Sequence, residues 1–348
     1  MPLIDLRLVN FRNFSNFPTP LSSVVVLVGA NGTGKTNFLE AIYFLATSKT
    51  FRKGSDRQAI QWGRDYFQIK AHYKRDERTG SLVLYCDQLE KIYKVNSHLV
   101  RAKDILGHLP VVLFTAEQIE IINGPPAQRR KLFNTLLCQK SSSYLGNLWQ
   151  YQRALFARNQ LLAKIHNARG QIEELIFWEK ALIKFGAPLI EEREKMTHFF
   201  APLLKTAWSK LNSHSLTFDY RPSSTKEHLA DNLKLRRPYD IEVSQTSVGP
   251  HRDEFALQED GRPLGIYGSR GERRSALLAL KLAENEFLKD QAPPFLLLDD
   301  IFSELDAAHR QVIGQLVAGA SQVIYTSTEL AHLPTNLTKG AKIITLSK

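Results

Sequence analysis

A glycine-rich turn between an apolar run and an amphipathic segment carries the clearest chemistry in this sequence. The run Val24–Val28 is typical of a buried strand, and the apolar periodicity after Asn37 predicts a helix. The turn between them fits G-x-x-x-x-G-K-[ST] over Gly29, Ala30, Asn31, Gly32, Thr33, Gly34, Lys35 and Thr36. Glycines there let backbone N–H groups converge on phosphate oxygens at the positive end of a helix. We therefore expect an ATP site in which Lys35 reaches the β- and γ-phosphates and the Thr36 hydroxyl binds Mg²⁺.

Two adjacent carboxylates end an apolar run far downstream. The run from Pro293 to Leu298 predicts a buried strand, and Asp299 and Asp300 follow it. Both carboxylates can face a nucleotide crevice at the carboxyl edge of a parallel sheet. Asp299 is predicted to hold Mg²⁺, directly or through water, and Asp300 to polarise the attacking water. The alternative is an acidic pair that caps a strand or a helix.

A third motif, residues 268–275, precedes a helix predicted over 276–289. Ser269 and Gly271 at a helix N-terminus would make a second anion-binding site. Because Lys35 already belongs to the first phosphate site, the second is predicted to contact the nucleotide of another copy, with ATP held across a two-fold axis. An ordinary helix cap is the alternative.

Composition places the chain among folded proteins of a reducing compartment. It has 348 residues, of which 43% are hydrophobic and 23% charged, and no apolar run is long enough to span a membrane. The start lacks the apolar region of a signal peptide, and Cys86 and Cys138 are too few for a disulfide framework. We expect a cytoplasmic protein without membrane contact.

The positive charge is unevenly distributed along the chain. The formal net charge is +11, and residues 126–240 contain 19 Lys and Arg against 10 Asp and Glu. Such an excess predicts a polyanionic partner, DNA in particular, although a solvated basic face is the alternative. The candidate phosphate contacts are Arg129, Arg130, Lys131, Arg153, Arg158, Lys234, Arg236 and Arg237.

The order of elements predicts an α/β protein with a helix-rich second lobe. Three β-rich runs between residues 66 and 95 predict an antiparallel meander, whereas the tail alternates strand, helix and strand and predicts a parallel sheet that the strand of the glycine-rich turn can join. We therefore expect one ATPase domain built from residues 1–124 and 241–348, and a basic helical lobe over residues 125–240.

Taken together, these segments resemble the ABC-type ATPases and, within them, the RecF family of bacterial recombinational repair, which has a head like that of the SMC proteins. The resemblance covers the chain essentially end to end. It rests on the Walker A motif (Gly29 to Thr36), the signature (Ser269 to Arg273), the Walker B motif (Leu297 to Asp300), the D-loop (Ser303 to Asp306), and the segments Asn10 to Phe14, Gly249 to Asp253 and Leu280 to Glu284.

The resemblance implies a mixed-sheet ATPase head that binds ATP and Mg²⁺, dimerises around ATP and clamps DNA without reading its sequence. It implies single-stranded, gapped or junction DNA as the target, RecO and RecR as partners, and a role in RecA loading, repair, replication and SOS induction. Lys35 and Asp300 would be catalytic, Ser303 and Asp306 would form the D-loop, and hydrolysis would be weak, DNA-stimulated and used as a switch.

The chain departs from the family pattern in two places, and these limit which residue roles can be transferred from the family to this chain. The signature usually reads Ser-Gln-Gly-Gln, whereas this chain has Ser269-Arg270-Gly271-Glu272, and the segment Tyr325-Thr326-Ser327-Thr328 contains no switch histidine. Thr326 or Thr328 is a candidate for a weaker version of that histidine, and Gln118 is a candidate Q-loop residue. The alternatives are an SMC-like DNA-tethering ATPase, disfavoured by the missing coiled coil, and an ATP-gated clamp that never hydrolyses.

Overall fold

The computed structural model describes residues 2–75, 78–290, 292–302, 306–330 and 338–347, which form two compact units. Unit 1 contains residues 1–118 and 277–348, and unit 2 contains residues 119–276. Unit 2 includes the predicted helical lobe 125–240 and extends beyond it on both sides, so the signature segment belongs to unit 2. Every helix among the described residues is too short or too polar to cross a bilayer.

The strands are, in chain order, β1 (Leu3–Phe11), β2 (Phe14–Pro20), β3 (Val24–Val28), β4 (Tyr66–Arg75), β5 (Arg78–Asp87), β6 (Lys91–Val95), β7 (His98–Val100), β8 (Val111–Thr115), β9 (Leu216–Arg221), β10 (Glu254–Glu259), β11 (Arg262–Pro263), β12 (Phe295–Asp299), β13 (Gln322–Ser327) and β14 (Lys342–Thr345). The α-helices are α1 (Lys35–Thr47), α2 (Ala102–Ile105), α3 (Glu120–Asn123), α4 (Pro126–Lys140), α5 (Ser142–His166), α6 (Leu175–Trp208), α7 (Leu229–Glu242), α8 (Leu264–Tyr267), α9 (Arg270–Lys289) and α10 (Ala307–Ala318).

Unit 1 contains two sheets of different character. One is antiparallel, in the order β2-β1-β4-β5-β6-β7, and confirms the meander predicted from the alternating runs. The other is parallel, in the order β14-β3-β13-β12-β8, and confirms that the strand before the glycine-rich turn joins the strands of the tail. The mixed α/β fold class is therefore as expected.

Helix α1 shares one apolar core with both sheets of unit 1. Phe38 and Ile42 of α1 are buried in a cluster that also contains Leu84 of the meander and Leu297 and Ile324 of the parallel sheet. Because the first residue of α1 is Lys35, this packing fixes the helix N-terminus at the carboxyl edge of β3. The apolar periodicity after the glycine-rich turn thus serves to hold that turn in place.

Unit 2 is built around the antiparallel pair α5 and α6, beside the small sheet β11-β10-β9. Arg158 bonds Glu179 at one end of the pair, and Tyr144 bonds Arg193 towards the other. Residues later in α5 therefore contact residues earlier in α6, as they do in an antiparallel pair of helices.

Buried charges of unit 2 satisfy one another. Arg193 donates to Asp253 at 2.7 Å, and Arg158 donates to Asp240 at 2.7 Å and to Glu179 at 3.1 Å. Removing one partner of such a pair leaves an uncompensated buried charge, which is strongly destabilising. Asp253 also accepts from the Tyr220 hydroxyl, so its carboxylate has a structural role.

His251 is held neutral within the same interior. Its Nδ1 lies 2.7 Å from the Tyr151 hydroxyl and its Nε2 lies 2.9 Å from the Thr246 carbonyl, so Nε2–H donates and Nδ1 accepts. Burial, which acts most strongly, and the nearby Arg252 guanidinium together lower the pKa of His251 to about 4, against the opposing effect of the bond to the Thr246 carbonyl. With Asp253 bonded elsewhere, the pair His251 and Asp253 has a structural role rather than a metal-binding one.

We predict that acid destabilises the protein through His251. Above about pH 6.5 the ring is neutral in both folded and unfolded chains, and its contribution to the free energy of unfolding is fully present. As the pH falls from there towards 4, the unfolded chain takes up a proton that the folded chain refuses, and up to about 3 kcal/mol of stability is lost. Urea unfolding from pH 7 to pH 4.5 should therefore show a shallower loss in His251→Gln than in the wild type. Parallel curves would contradict the assignment.

Candidate functional site

The glycine-rich turn adopts a backbone that only glycine accommodates well at its end. Gly34 has φ +101°, and a Cβ placed there would lie 2.4 Å from the Asn13 side chain. Asn13 donates to the Thr33 carbonyl at 3.0 Å and thereby ties the turn between β1 and β2 to the loop. No side chain caps α1, and no acidic residue lies in its first turn. The helix N-terminus therefore keeps the backbone donors and the positive dipole end that an anion requires.

Lys35 lies folded over this loop. Its Nζ donates to the Gly29 carbonyl at 2.5 Å and to the Ala30 carbonyl at 3.1 Å. The ammonium group is thus positioned above the cradle that the sequence predicts for phosphates. Carbonyl oxygens are weaker partners for an ammonium than phosphate oxygens are, so a phosphate can take their place.

The Asp299 carboxylate connects three elements of unit 1. Thr36 Oγ1 donates to Asp299 Oδ2 at 2.8 Å, and Thr326 Oγ1 donates to Asp299 Oδ1 at 2.7 Å. The pairing register of β12 and β13 places Asp299 directly beside Thr326. The two predicted metal ligands, 263 positions apart in sequence, therefore meet at the carboxyl edge of one sheet.

Asp300 follows with a left-handed backbone, φ +49°. Its N–H donates to Thr326 Oγ1 at 2.9 Å, so a single hydroxyl holds both residues of the acidic pair. A non-glycine residue in this conformation costs of order 1–3 kcal/mol and persists where the surroundings enforce it. Because Asp300 leaves the strand conformation, its carboxylate does not have to point to the face of the sheet opposite that of Asp299.

The residues present suit Mg²⁺. Thr36 and Asp299 supply oxygen donors alone, and magnesium in nucleotide sites is held by one or two such groups together with waters and phosphate oxygens. Among the described residues no group of three or more His, Cys, Asp or Glu side chains forms a metal cage. The donor set therefore fits an ion that arrives with a nucleotide.

The signature segment lies on the surface of unit 2. Ser269 and Gly271 are exposed, and an added Cβ at Gly271 would meet nothing closer than 3.9 Å. Ser269 Oγ accepts from Glu272 N–H at 3.2 Å, and Glu272 Oε2 accepts from Ser269 N–H at 2.5 Å. This is a capping box, and these hydrogen bonds lower the pKa of Glu272. The ordinary helix cap, which was the alternative to a second anion-binding site, is thus present, and the contact of Ser269 and Gly271 with a partner's nucleotide stays a prediction.

The remaining family positions have mixed outcomes. Ser303 of the predicted D-loop lies outside the described residues. Asp306 caps α10 by accepting from the His309 N–H at 2.9 Å. Gln118 Oε1 accepts from the Thr115 N–H at 3.2 Å, after strand β8. Thr326, one of the two threonines considered in place of a switch histidine, is bonded to both residues of the acidic pair.

Three of the arginines predicted to hold DNA phosphates are bonded within unit 2. Arg129 binds both oxygens of Glu254, and Arg130 donates to the Asp253 carbonyl at 2.7 Å. Arg237 binds both oxygens of Glu179. Hydrogen bonds taken up inside the protein leave a guanidinium fewer donors for phosphate, so these bonds disfavour the three residues as DNA contacts, which stay a prediction.

The other predicted phosphate contacts divide by burial. Arg158 is fully buried and ion-paired, so it also belongs to the interior. Lys131, Arg153, Lys234 and Arg236 are exposed. A positive surface therefore remains on unit 2, although it is smaller than the charge count of the sequence implied.

A polar network behind the loop was not predicted from the sequence. Glu40 on α1 is fully buried and accepts from Arg12 at 2.6 Å and 3.0 Å, while Arg52 Nε lies 3.5 Å away. Arg52 also donates to Asn37 at 2.8 Å, and Asn37 donates to Asn13 at 2.8 Å. The glutamate that interrupts the apolar face of α1 was the available signal. Through Asn37 and Asn13 these contacts reach the Thr33 carbonyl of the loop.

Comparisons with known proteins agree with this geometry. The family described as the RecF/RecN/SMC N-terminal domain matches residues 2–343. DNA replication and repair protein RecF of Moorella thermoacetica is 33% identical, over 100% of this chain and 95% of that protein. A solved structure of the recombination mediator protein RecF with ATP, in the RecFOR pathway, superposes with a TM-score of 0.89 at 29% identity, covering 95% of this chain and 93% of the other. An Smc head bound to a domain of ScpA shares the fold, with a TM-score of 0.53 at 17% identity over 99% and 94% of the two chains.

We predict that Thr326→Val weakens Mg²⁺-dependent nucleotide binding. Valine has nearly the same shape but cannot orient Asp299 or accept from Asp300 N–H, and leaving a buried donor unpaired costs about 1–3 kcal/mol. The Mg²⁺ concentration for half-maximal binding of a fluorescent ATP analogue should rise roughly tenfold or more, and Thr326→Ser should restore it. A loss of thermal stability without a change in Mg²⁺ dependence would show that Thr326 acts in packing alone.

Proposed function

The chain belongs to the RecF family of the RecF/RecN/SMC proteins, and from that premise we propose that it is an ATP-dependent DNA-binding protein of recombinational repair and replication. The observation that supports this proposal most is the 2.8 Å bond from Thr36 Oγ1 to Asp299 Oδ2. It joins the two motifs that an ATPase of this class uses on the metal ion and the phosphates.

In the proposed site the backbone donors of residues 29–36 hold the phosphates, and Lys35 leaves the carbonyls of Gly29 and Ala30 to bind the β- and γ-oxygens. Thr36 and Asp299 hold Mg²⁺, which supplies charge neutralisation for the phosphates. Asp300 then orients and polarises the attacking water. Because Thr326 fixes the backbone of Asp300, the position of this base depends on strand β13.

ATP binding is proposed to drive dimerisation through the signature segment. The exposed Ser269 and the N–H of Gly271 would contact the γ-phosphate held by the second copy, so that nucleotide bridges two chains. Glu272 keeps a carboxylate beside this contact, and like charges repel at short range. We therefore expect a weak, readily reversed dimer and slow hydrolysis, which suits a switch.

DNA binding is proposed to be electrostatic and indifferent to sequence, with Lys131 and Arg236 among the contacts. The target would be single-strand gaps or junctions of duplex and single strand. Relatives carry the name DNA replication and repair protein RecF, and a matching structure is placed in the RecFOR pathway. By that relation we propose RecO and RecR as partners and RecA loading and SOS induction as the outcome.

Two rivals share much of this chemistry. An SMC-like tethering ATPase would need a long coiled coil, whereas α5 and α6 return on each other within 67 residues, from Ser142 to Trp208. A clamp that never hydrolyses would bind ATP through the same loop but would be insensitive to Asp300→Asn. Single-turnover hydrolysis of the wild type and this variant distinguishes the clamp from the switch.

We predict that Lys35→Ala loses nucleotide affinity. Charge-assisted hydrogen bonds contribute about 1.5–3 kcal/mol each, so ATP affinity should fall roughly ten- to a hundredfold. The exposed Lys49, in the same unit, provides a control, and Lys49→Ala should bind ATP as the wild type does. Unchanged affinity in Lys35→Ala, measured by calorimetry, would rule out the phosphate site.

We predict that changes at Ser269 separate nucleotide binding from dimerisation. Ser269→Ala should bind ATP normally but dimerise less in sedimentation with a non-hydrolysable ATP analogue. Since alanine also removes a helix cap, Ser269→Asp serves as the second variant, because it keeps the cap and places a negative charge against the phosphate. Ser142→Ala, at an exposed serine of unit 2, is the control.

The same variants test the link to DNA. ATP-dependent binding of gapped DNA should decrease with dimerisation, and its affinity should fall steeply with salt. Normal ATP-driven dimerisation of Ser269→Asp would contradict the shared site. Salt-independent binding would contradict the proposed phosphate contacts.

A further inference from the structure

An aromatic groove between α5 and α6 of unit 2 has no role in the function proposed above, apart from Arg153, which is one of the candidate phosphate contacts. Its volume is about 600 Å³, and its lining comes from residues 149–157 of α5 and 177–185 of α6. Trp149, Phe156 and Phe177 border it with 54%, 67% and 67% of their surfaces exposed. Clustered exposed aromatics are unusual in a soluble chain and mark interaction sites.

The lining of the groove also contains small residues. Ala154 is buried, and Ala157 and Ala181 are half-buried, so all three lie deeper than the exposed aromatic side chains. Alanines between two antiparallel helices leave room for side chains inserted from outside, as a docked helix inserts them at positions i, i+3 or i+4, and i+7. The shape therefore suits a helix laid along the pair.

The charge of the groove has one sign. Arg153 is the charged residue of the lining, and its guanidinium lies 4.7 Å from the centre of the Trp149 ring. Within the described residues no carboxylate or other hydrogen-bond acceptor is bonded to that guanidinium. Lys184 continues the positive edge along α6, where its ammonium group lies 5.4 Å from the Phe185 ring. A ligand that complements this groove carries a carboxylate beside its apolar side chains.

Two other occupants fit less well. Single-stranded nucleic acid needs a row of cations that follows its backbone as well as rings for stacking, whereas the lining supplies Arg153 alone. A two-fold contact of this groove with the same groove of a second copy would bring two positively charged surfaces together, and like charges would oppose it.

We propose that the groove between α5 and α6 binds an acidic amphipathic helix of a partner protein. Apolar side chains of that helix fill the space between Trp149, Phe156 and Phe177, and an Asp or Glu beside them pairs with Arg153. Binding at this groove uses none of the residues proposed to contact nucleotide, in unit 1 or in the signature segment.

The test is selection of peptides from a random library on the full chain, with Phe156→Ser as the counter-selection target. Enriched peptides should combine apolar residues at helical spacing with Asp or Glu. In fluorescence anisotropy their affinity should fall at least tenfold on Phe156→Ser and on Arg153→Glu. A peptide with Lys in place of its acidic residue should bind the Arg153→Glu variant more tightly than it binds the wild-type chain.

Matched controls are available in the same unit. Phe199 is 70% exposed on α6 but lies outside the groove lining, so Phe199→Ser should bind as the wild type does, as should Lys205→Glu. Lys35→Ala should also retain peptide binding, which separates this inference from the proposed ATP site.

Three results would overturn the proposal. The first is that no peptide is enriched on the wild-type chain relative to the Phe156→Ser variant. The second is that Phe156→Ser and Arg153→Glu lose affinity for oligo(dT), which would assign the groove to nucleic acid. The third is self-association of the wild type that Phe156→Ser abolishes, which would assign it to a second copy.

Discussion

The candidate site depends on one carboxylate held from two sides. Asp299 accepts from Thr36 on one oxygen and from Thr326 on the other, so its orientation is fixed before any ligand arrives. A carboxylate already oriented by neighbouring hydroxyls needs little reorganisation when a cation binds. Two features of unit 1 support this arrangement: the parallel register of β12 and β13 aligns Asp299 with Thr326, and the buried face of α1 holds Thr36 in place.

Charge has different uses in the two units. In unit 1 the buried Glu40 forms ion pairs with Arg12 and Arg52. In unit 2 the acidic residues Asp240 and Asp253 each neutralise a buried arginine. An arginine of this kind shapes the interior because losing its partner is costly. The net charge of a segment therefore overstates the positive surface available to a polyanion, and it does so most where long helices pack closely.

Much of the fold and of the phosphate site could be predicted from the sequence. The Walker A motif between a strand and a helix, and the acidic pair after Leu298, are local patterns whose chemistry is determined by residue type and spacing. The roles of Thr326 and Asn13 could not be predicted in this way, because each depends on a partner brought close by sheet pairing or by a distant turn. The arginines show the limit most clearly: Arg236 and Arg237 are neighbours in sequence, yet Arg237 is bonded to Glu179 and Arg236 is exposed.

The neighbours of β3 in its sheet, β13 and β14, come roughly 300 positions later in the chain. During synthesis on the ribosome, this apolar strand and the loop after it therefore emerge long before the strands that pair with them. Residues 119–276 are continuous in the chain and can fold first, since domains generally fold as units as they emerge. Until β13 and β14 emerge, the apolar segment Val24–Val28 remains exposed and can be bound by chaperones. A truncated product that lacks these strands would be degraded by proteases rather than persist as an inactive nucleotide-binding protein.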